Sequence, residues 1–338
     1  MKVALFEKPH HLSVTQKDLR ALKSGEVLVK VMACGICGTD LHIIEGSSRS
    51  SPPVVLGHEY VGIIADVGTG SHGFETGDFV AVDPNSSCGT CFHCRRGEVH
   101  LCERLRALGV DIDGGMAEFC IVPASQLYRL PKTMTPETAA IIEPLSCAVH
   151  GIDRARIRPG DTVVILGGGS VGLLLLQLAK VSGASRVSVV EPVEWKRTLA
   201  ARIGADDVVD PGRGALLEYV MDITGVGADV VIECAGKPET VAASLKLARR
   251  GGTVMIFGVC PLGQTVPMEP NSVYFKELTI VGSYVNPHTF DRAIALLAAK
   301  KVSIEHFAIH KFPLDAVADA LNMLSEGKTT KSLIVPTL

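Results

Sequence analysis

Hydrophobic and polar positions alternate differently in the two halves of this chain. Over the first 150 residues the apolar positions fall in short β-branched runs: EVLVKVMA (26–33), YVGIIADVG (60–68) and DFVAVD (78–83). Clusters of Gly, Pro, Ser and Asp separate them. The pattern predicts strands and turns without long amphipathic helices, and fits a compact, partly open β-barrel with long loops. From Asp161 onward the pattern changes. TVVILG (162–167), VSVVE (187–191), DVVD (207–210), DVVIE (229–233), TVMIFG (253–258) and LTIVGS (278–283) are near-continuous apolar runs, with helix-period segments such as 195–203 and 239–249 between most of them. Six buried strands with helical crossovers predict a parallel, doubly wound α/β sheet. Beyond Ser283 the chain reads as helix (289–299), loop, helix (314–325) and a last strand (331–335), a segment expected to return to the first domain. The expected division is 1–150, 151–285 and 286–338.

A chain of 338 residues exceeds a usual single-domain core, in keeping with two domains. A net charge of −3 argues against a nucleic-acid surface or a polybasic membrane patch. The opening MKVALFEKPHHL has no signal-peptide pattern, and the apolar run 171–181 is interrupted by Gln177 and Lys180 and is too short to span a bilayer. Ten cysteines in such a chain read as reduced thiols or metal ligands in a cytoplasmic protein. Neither low-complexity tracts nor solenoid-period repeats are found.

Cys88, Cys91, Cys94 and Cys102 lie within the fifteen residues CGTCFHCRRGEVHLC. Their spacing lets four thiolates wrap one tetrahedral zinc ion at about 2.3 Å per sulfur. Four protein ligands leave no open position, so such a zinc in a lobe at about 84–104 would be structural. A disulfide pair or a chance cluster is the plainer alternative, but disulfide frameworks belong mostly to small secreted chains.

The strand at 162–167 runs into GGGSVG. Gly167, Gly169 and Gly172 stand in G-x-G-x-x-G spacing, with Ser170 and Val171 inside the loop. Glycines there permit a tight turn and close approach of N–H groups to a pyrophosphate, and the helix that follows directs its positive end at the same phosphates. Glu191 ends the next strand, nineteen positions after Gly172. A carboxylate there accepts ribose hydroxyls and repels a 2′-phosphate, which favours NAD over NADP. Lys196 and Arg197 are near enough in sequence to tolerate a phosphate. The plain alternative is a glycine-rich turn followed by a surface glutamate.

A second constellation combines CGICGTDLH (34–42), GHEYVG (57–62) and IIEPLSCAVHG (141–151). Cys37, His58, Glu59 and Glu143 are good zinc ligands by type, and three protein ligands plus one free position is what a catalytic zinc needs. Each piece has a plainer reading: Cys34 and Cys37 as a redox pair, His58 as a core histidine, Glu143 as a helix-start carboxylate.

Taken in order, CGICGTD, GHExxG, the four-cysteine lobe, EPL and GGGSVG resemble the zinc-dependent medium-chain alcohol dehydrogenases over essentially the whole chain. EPLSCAVHG is most similar to the sorbitol, xylitol and butanediol group. The resemblance implies a GroES-like β-barrel catalytic domain joined to a Rossmann domain. It also implies two zinc ions per chain, NAD, and a homodimer or homotetramer. It assigns Cys37 and His58 to the catalytic zinc, with Glu59 or Glu143 as a further ligand, and Asp40 as the group that orients a ligand histidine. Thr39 would sit beside the alcohol and His42 would end a proton relay. Val259 and Lys196 would join the cofactor contacts, and Lys331 would lie near the pyrophosphate. Ile43, Tyr60, Phe119, Tyr284 and Asn286 would line the substrate pocket. Cys34, Cys120, Cys147, Cys234 and Cys260 are left as small buried hydrophobes.

The activity this implies is oxidation of a secondary hydroxyl in a polyol, sugar alcohol or vicinal diol. CGICGTDLHI and GVDIDGGMAEF (109–119) also resemble threonine-type dehydrogenases, a rival substrate class. A zinc- and nucleotide-binding regulator without turnover is the alternative of another kind. The joint presence of ligand, relay and cofactor residues speaks against it.

Overall fold

A computed structural model describes residues 1–214 and 216–338. One unit comprises Met1–Pro144, Phe290–Ala298 and Ala308–Leu338, and the other comprises Leu145–Thr289 and Ala299–Phe307.

The first unit begins with β1 (Lys2–Lys8), β2 (His11–Gln16) and β3 (Glu26–Gly35), followed by helix α1 (Gly38–Glu45). Next come β4 (Val54–Val55), β5 (Glu59–Val67) and β6 (Phe79–Val82). The cysteine lobe carries β7 (Asn85–Ser86), helix α2 (Phe92–Arg95) and β8 (Arg106–Ala107). After it lie β9 (Phe119–Pro123), β10 (Leu127–Arg129) and α3 (Pro136–Ala139). β3 is the organising strand. Its Val27, Val29 and Val31 are fully buried at alternate positions, so one face builds the core with Ile64, Val80 and Val122. β3 pairs antiparallel with β5, placing Gly35 opposite Glu59 and Cys34 opposite Tyr60. The chain leaving β3 is therefore set beside the chain entering β5, and both carry candidate ligands.

The second unit begins within α4 (Ile142–Ala155). It continues through β11 (Thr162–Leu166), α5 (Ser170–Val181), β12 (Arg186–Val190), α6 (Glu194–Ile203), β13 (Asp207–Val209), α7 (Leu216–Thr224) and β14 (Ala228–Glu233). It closes with α8 (Pro238–Leu247), β15 (Ala248–Ile256), α9 (Pro270–Lys276) and β16 (Thr279–Gly282). The six strands form one sheet in the order β13-β12-β11-β14-β15-β16, all parallel. Val163 to Leu166 and Val187 to Val190 are buried, as a strand covered on both faces requires. The six predicted strands all form, with ends shifted by a few residues.

The remaining elements are α10 (Phe290–Ala298), β17 (Ile309–Phe312), α11 (Val317–Ser325) and β18 (Lys331–Ile334). β18 joins the first unit's sheet, antiparallel to β3, with Leu333 opposite Gly35; that seven-stranded sheet runs β10-β6-β5-β3-β18-β17 with β9 also on β3. The sequence-based boundaries shift. No break occurs at 150, because α4 runs unbroken from Ile142 to Ala155 and the division falls after Pro144. The boundary at 286 moves to 290, because Asn286 Nδ2 and Thr289 Oγ1 donate to the Oγ and O of Ser146 in α4. Among the described residues no helix is long and apolar enough to cross a membrane.

Candidate active site

Cys37 is the N-cap of α1, with extended backbone (φ −113°, ψ 158°). Asp40 Oδ2 accepts from Cys37 N at 2.9 Å, and the Asp40 N–H is directed back to the Cys37 side chain, a reciprocal box that fixes both residues. Asp40 is fully buried, and its other oxygen stands 3.5 Å from His58 Nδ1. His58 precedes β5 and Glu59 opens it. The result is one group in which the donor atoms of Cys37, His58 and Glu59 lie within 4.8 Å of one another. Helix capping, strand register and a buried carboxylate thus converge on one point.

Burial works against a charged His58, but Asp40 and Cys37 outweigh it and raise its pKa well above the ordinary 6.5. Thiolate, imidazole and carboxylate are zinc donors by type. Glu143, in the first turn of α4 and 8% exposed, falls outside the group of three. Lys331 lies beside Glu59. It is 2% exposed and its ammonium is ion-paired with Glu59 Oε2. Its strand β18 packs beside β3, which brings the ammonium to Glu59.

Thr39 follows Cys37 by two positions, and its Oγ1 lies 3.7 Å from Cys37 Sγ. His42, one helical turn farther on, is half-buried and has Ser47 Oγ 3.4 Å from its Nδ1. A hydroxyl thus lies beside the Cys37 sulfur, with an imidazole one helical turn farther along α1.

In the lobe, the sulfurs of Cys88, Cys91, Cys94 and Cys102 also lie within 4.8 Å of one another. None of the ten cysteines forms a disulfide, and the Cys88 and Cys94 sulfurs are 3.9 Å apart. Two ligands at about 2.3 Å on a tetrahedron are separated by roughly 3.8 Å. Main-chain N–H groups of Cys88, Cys91 and Arg104 point at the sulfurs of Cys102, Cys88 and Cys102. N–H donation from Thr90, its hydroxyl and the Cys91 N–H lower Cys88 to about 5, favouring the thiolate a metal needs.

In the second unit the phosphate loop sits between β11 and α5. Gly167 has φ +116°, where only glycine is unstrained, and a Cβ on Gly172 would overlap the Gly167 carbonyl oxygen. Gly169 caps α5, with Ser170 and Val171 opening the helix, so their N–H groups lack intrahelical partners. Glu191 is 6% exposed, and its carboxylate accepts from Gly168 N at 2.8 Å and Val193 N at 3.0 Å. Lys196 lies over the Trp195 ring, and Val259 is 72% exposed.

Residues 23–132 match the alcohol dehydrogenase GroES-like domain, and residues 170–299 match the zinc-binding dehydrogenase family. An L-threonine 3-dehydrogenase of Pyrococcus horikoshii is 40% identical over 316 residues, 91% of this chain and 90% of the relative. The chain belongs to the zinc-dependent medium-chain alcohol dehydrogenases. D-arabinitol dehydrogenase 1 of Uromyces fabae is 34% identical, covering 99% of this chain and 97% of the relative. A putative zinc-binding dehydrogenase of Sinorhizobium meliloti, solved with NADP bound, superposes with a TM-score of 0.94 at 42% identity, covering 99% of each chain. This dehydrogenase is therefore an oxidoreductase of that family, with a GroES-like domain and a Rossmann domain.

Some pocket expectations do not hold in this dehydrogenase. Ile43 and Tyr60 are buried in the core around β3, and Tyr60 Oη contacts Cys120 Sγ at 3.2 Å. Asn286 is 2% exposed and held by Ser146. Side-chain direction decides these cases. Sequence reading also missed a lock beside the cofactor turn. Arg197 Nη1 donates to the main-chain O of Glu191 and of Pro192, each at 2.7 Å, and its Nη2 pairs with Asp210 at 3.1 Å. Asp210, thirteen positions on, carries no motif that would reveal this pairing.

Proposed function

We propose that this dehydrogenase oxidises a secondary hydroxyl of a polyol, sugar alcohol or vicinal diol with NAD⁺. The convergence of Cys37, His58 and Glu59 with the Thr39 hydroxyl beside them carries the reading. Cys37, His58 and either Glu59 or Glu143 would hold a zinc ion, and the four lobe cysteines a second, structural one. Zinc so bound acts as a Lewis acid that eases loss of the substrate hydroxyl proton. Thr39 takes the first hydrogen bond from that hydroxyl, and His42 moves the proton outward. Asp40 holds His58 in orientation. NAD⁺ held at the Gly167, Gly169 and Gly172 loop would supply the acceptor for the hydride that leaves the carbinol carbon.

Two observations support NAD over NADP. Glu191 is a buried carboxylate just after β12, the sequence position from which an acidic residue reaches the ribose hydroxyls in dinucleotide-binding folds. Arg197, a candidate partner for a 2′-phosphate, is already committed to Asp210 and two carbonyls. The NADP in the Sinorhizobium meliloti relative makes this a point to measure.

A neutral polyol suits the metal group, because the ammonium of Lys331 is committed to Glu59 and is not spare for a substrate carboxylate. Oxidation of threonine is the second reading, favoured by the 40% identity to an L-threonine 3-dehydrogenase. A homo-oligomer is also proposed. The edge strand β16, with Ile280 exposed, could pair across a twofold axis, and a light-scattering mass equal to that of one chain would refute this. The substrate test is NADH formation by the zinc-loaded enzyme with polyols, diols and threonine, with NADP⁺ in parallel. Turnover of a polyol with NAD⁺ is expected. Preference for threonine would select the second reading, and silence on every alcohol would overturn both.

A further inference from the structure

Asp210 follows β13 and takes no part in the chemistry above. The sheet sets its place. Val190 lies opposite Val209, and Glu191 N donates to Val209 O at 3.0 Å, so Asp210 stands at the same end of the sheet as the Glu191 turn. There it holds two guanidinium groups. Arg197 Nη2 lies 3.1 Å and Arg213 Nε 3.4 Å from Asp210 Oδ2, while Asp210 Oδ1 accepts from Gly212 N at 2.9 Å. The Arg197 side chain is 11% exposed and that of Arg213 79%, so one guanidinium is sheltered and the other is tethered at the surface. Arg197 also donates to Glu191 O and Pro192 O, which lays its charge against the main chain of the residue that would meet the adenosine ribose. A dianionic 2′-phosphate on that ribose would come within reach of cations that Asp210 already neutralises.

We infer that Asp210 is a specificity-determining residue. Its carboxylate withholds Arg197 and Arg213 from a 2′-phosphate, so Glu191 and Asp210 together select the dinucleotide. Two effects combine. The carboxylate repels a phosphate directly, and it occupies the N–H fork with which a guanidinium grips phosphate best. The inference rests on the reading of the Glu191 turn as the ribose site of an NAD-preferring enzyme.

The probes are 2′-AMP and 5′-AMP, titrated by calorimetry into the full zinc-loaded chain, with kcat/KM for NADP⁺ and NAD⁺ measured alongside. Asp210→Asn removes the charge and keeps an oxygen for Gly212 N. Asp210→Ser is the second variant, with a hydroxyl in place of the carboxylate. In both, the affinity for 2′-AMP relative to 5′-AMP should rise about tenfold, the scale of one hydrogen bond to a charged group. The NADP⁺ to NAD⁺ ratio of kcat/KM should rise with it, and added salt should diminish the gain. Adding Arg197→Gln and Arg213→Gln to Asp210→Asn should remove most of it. Wild-type ratios in both Asp210→Asn and Asp210→Ser would overturn the inference, as would a gain undiminished in the triple variant. A wild-type enzyme that prefers NADP⁺, or a Glu191→Gln variant with an unchanged 2′-AMP to 5′-AMP ratio, would instead overturn the reading beneath it. Cooperative thermal unfolding of each variant certifies that the protein has folded.

Discussion

Replacing Gly172 with alanine tests whether the phosphate loop is held by contact geometry. Gly172 lies in the first turn of α5, and an added Cβ would fall about 1 Å inside the 3.0 Å limit for real Cβ contacts, against the Gly167 carbonyl oxygen. It would also stand 3.0 Å from the Gly167 carbonyl carbon and 3.3 Å from Cys234 Sγ. The loop cannot yield easily. Gly167 N donates to Val190 O at 2.9 Å, and Gly168 N is held by Glu191. Overpacking of this kind costs about 1–3 kcal/mol. For a domain of this size each kcal/mol lowers Tm by roughly 2–4 °C. Gly172→Ala should therefore lower Tm by about 2–12 °C, with the product of those two ranges as the guide. A loop displaced by about 1 Å should also weaken NADH binding and turnover, with losses of order a hundredfold for such misplacement. Gly169→Ala is the control. A Cβ there meets nothing within 4 Å and φ is −74°, so only the exchange of glycine for alanine at the N-cap should tell, at roughly 1 kcal/mol or less. Thermal melts and NADH fluorescence titration read both variants. Wild-type melting and NADH affinity in Gly172→Ala would refute the packing argument.

Cys94→Ser should lower the zinc content by one ion per chain and lower Tm, as read by metal analysis and calorimetry. His58→Ala should abolish turnover, whereas His42→Ala should slow it and leave the zinc content unchanged. Arg186 hydrogen-bonds Asp207 at 2.7 and 2.8 Å, and chiefly for that reason the Asp207 carboxyl lies below its ordinary 3.8. A depressed carboxylate stabilises the fold above its unfolded pKa and loses that contribution as pH falls through the lower folded value. Asp207→Asn should therefore cost about 1 kcal/mol or less at neutral pH, given a partly exposed Arg186, and nothing in strong acid. Equal Tm losses at neutral and strongly acid pH would count against that assignment.

The linear chain was enough for the elements whose signals are local. Apolar runs bounded by turn residues located the six parallel strands, because a strand covered on both faces must be apolar throughout. The G-x-G-x-x-G loop and the four-cysteine lobe were legible because their parts sit within a few residues of one another. What the sequence could not resolve depends on distant segments meeting. Lys331 stands 272 positions from Glu59, and only the antiparallel placement of β18 beside β3 brings them into contact. Ser146 is tied to Asn286 and Thr289, about 140 positions away, in the unit that begins after Pro144. Ile43 and Tyr60 point into the core and not into a pocket because strand and helix orientation, which hydrophobicity does not encode, fixes side-chain direction. Sequence thus determined which chemical groups this dehydrogenase carries and the periodicity of its strands. Tertiary structure decided which groups meet, because the distance between side chains is set by strand register and packing and not by separation along the chain.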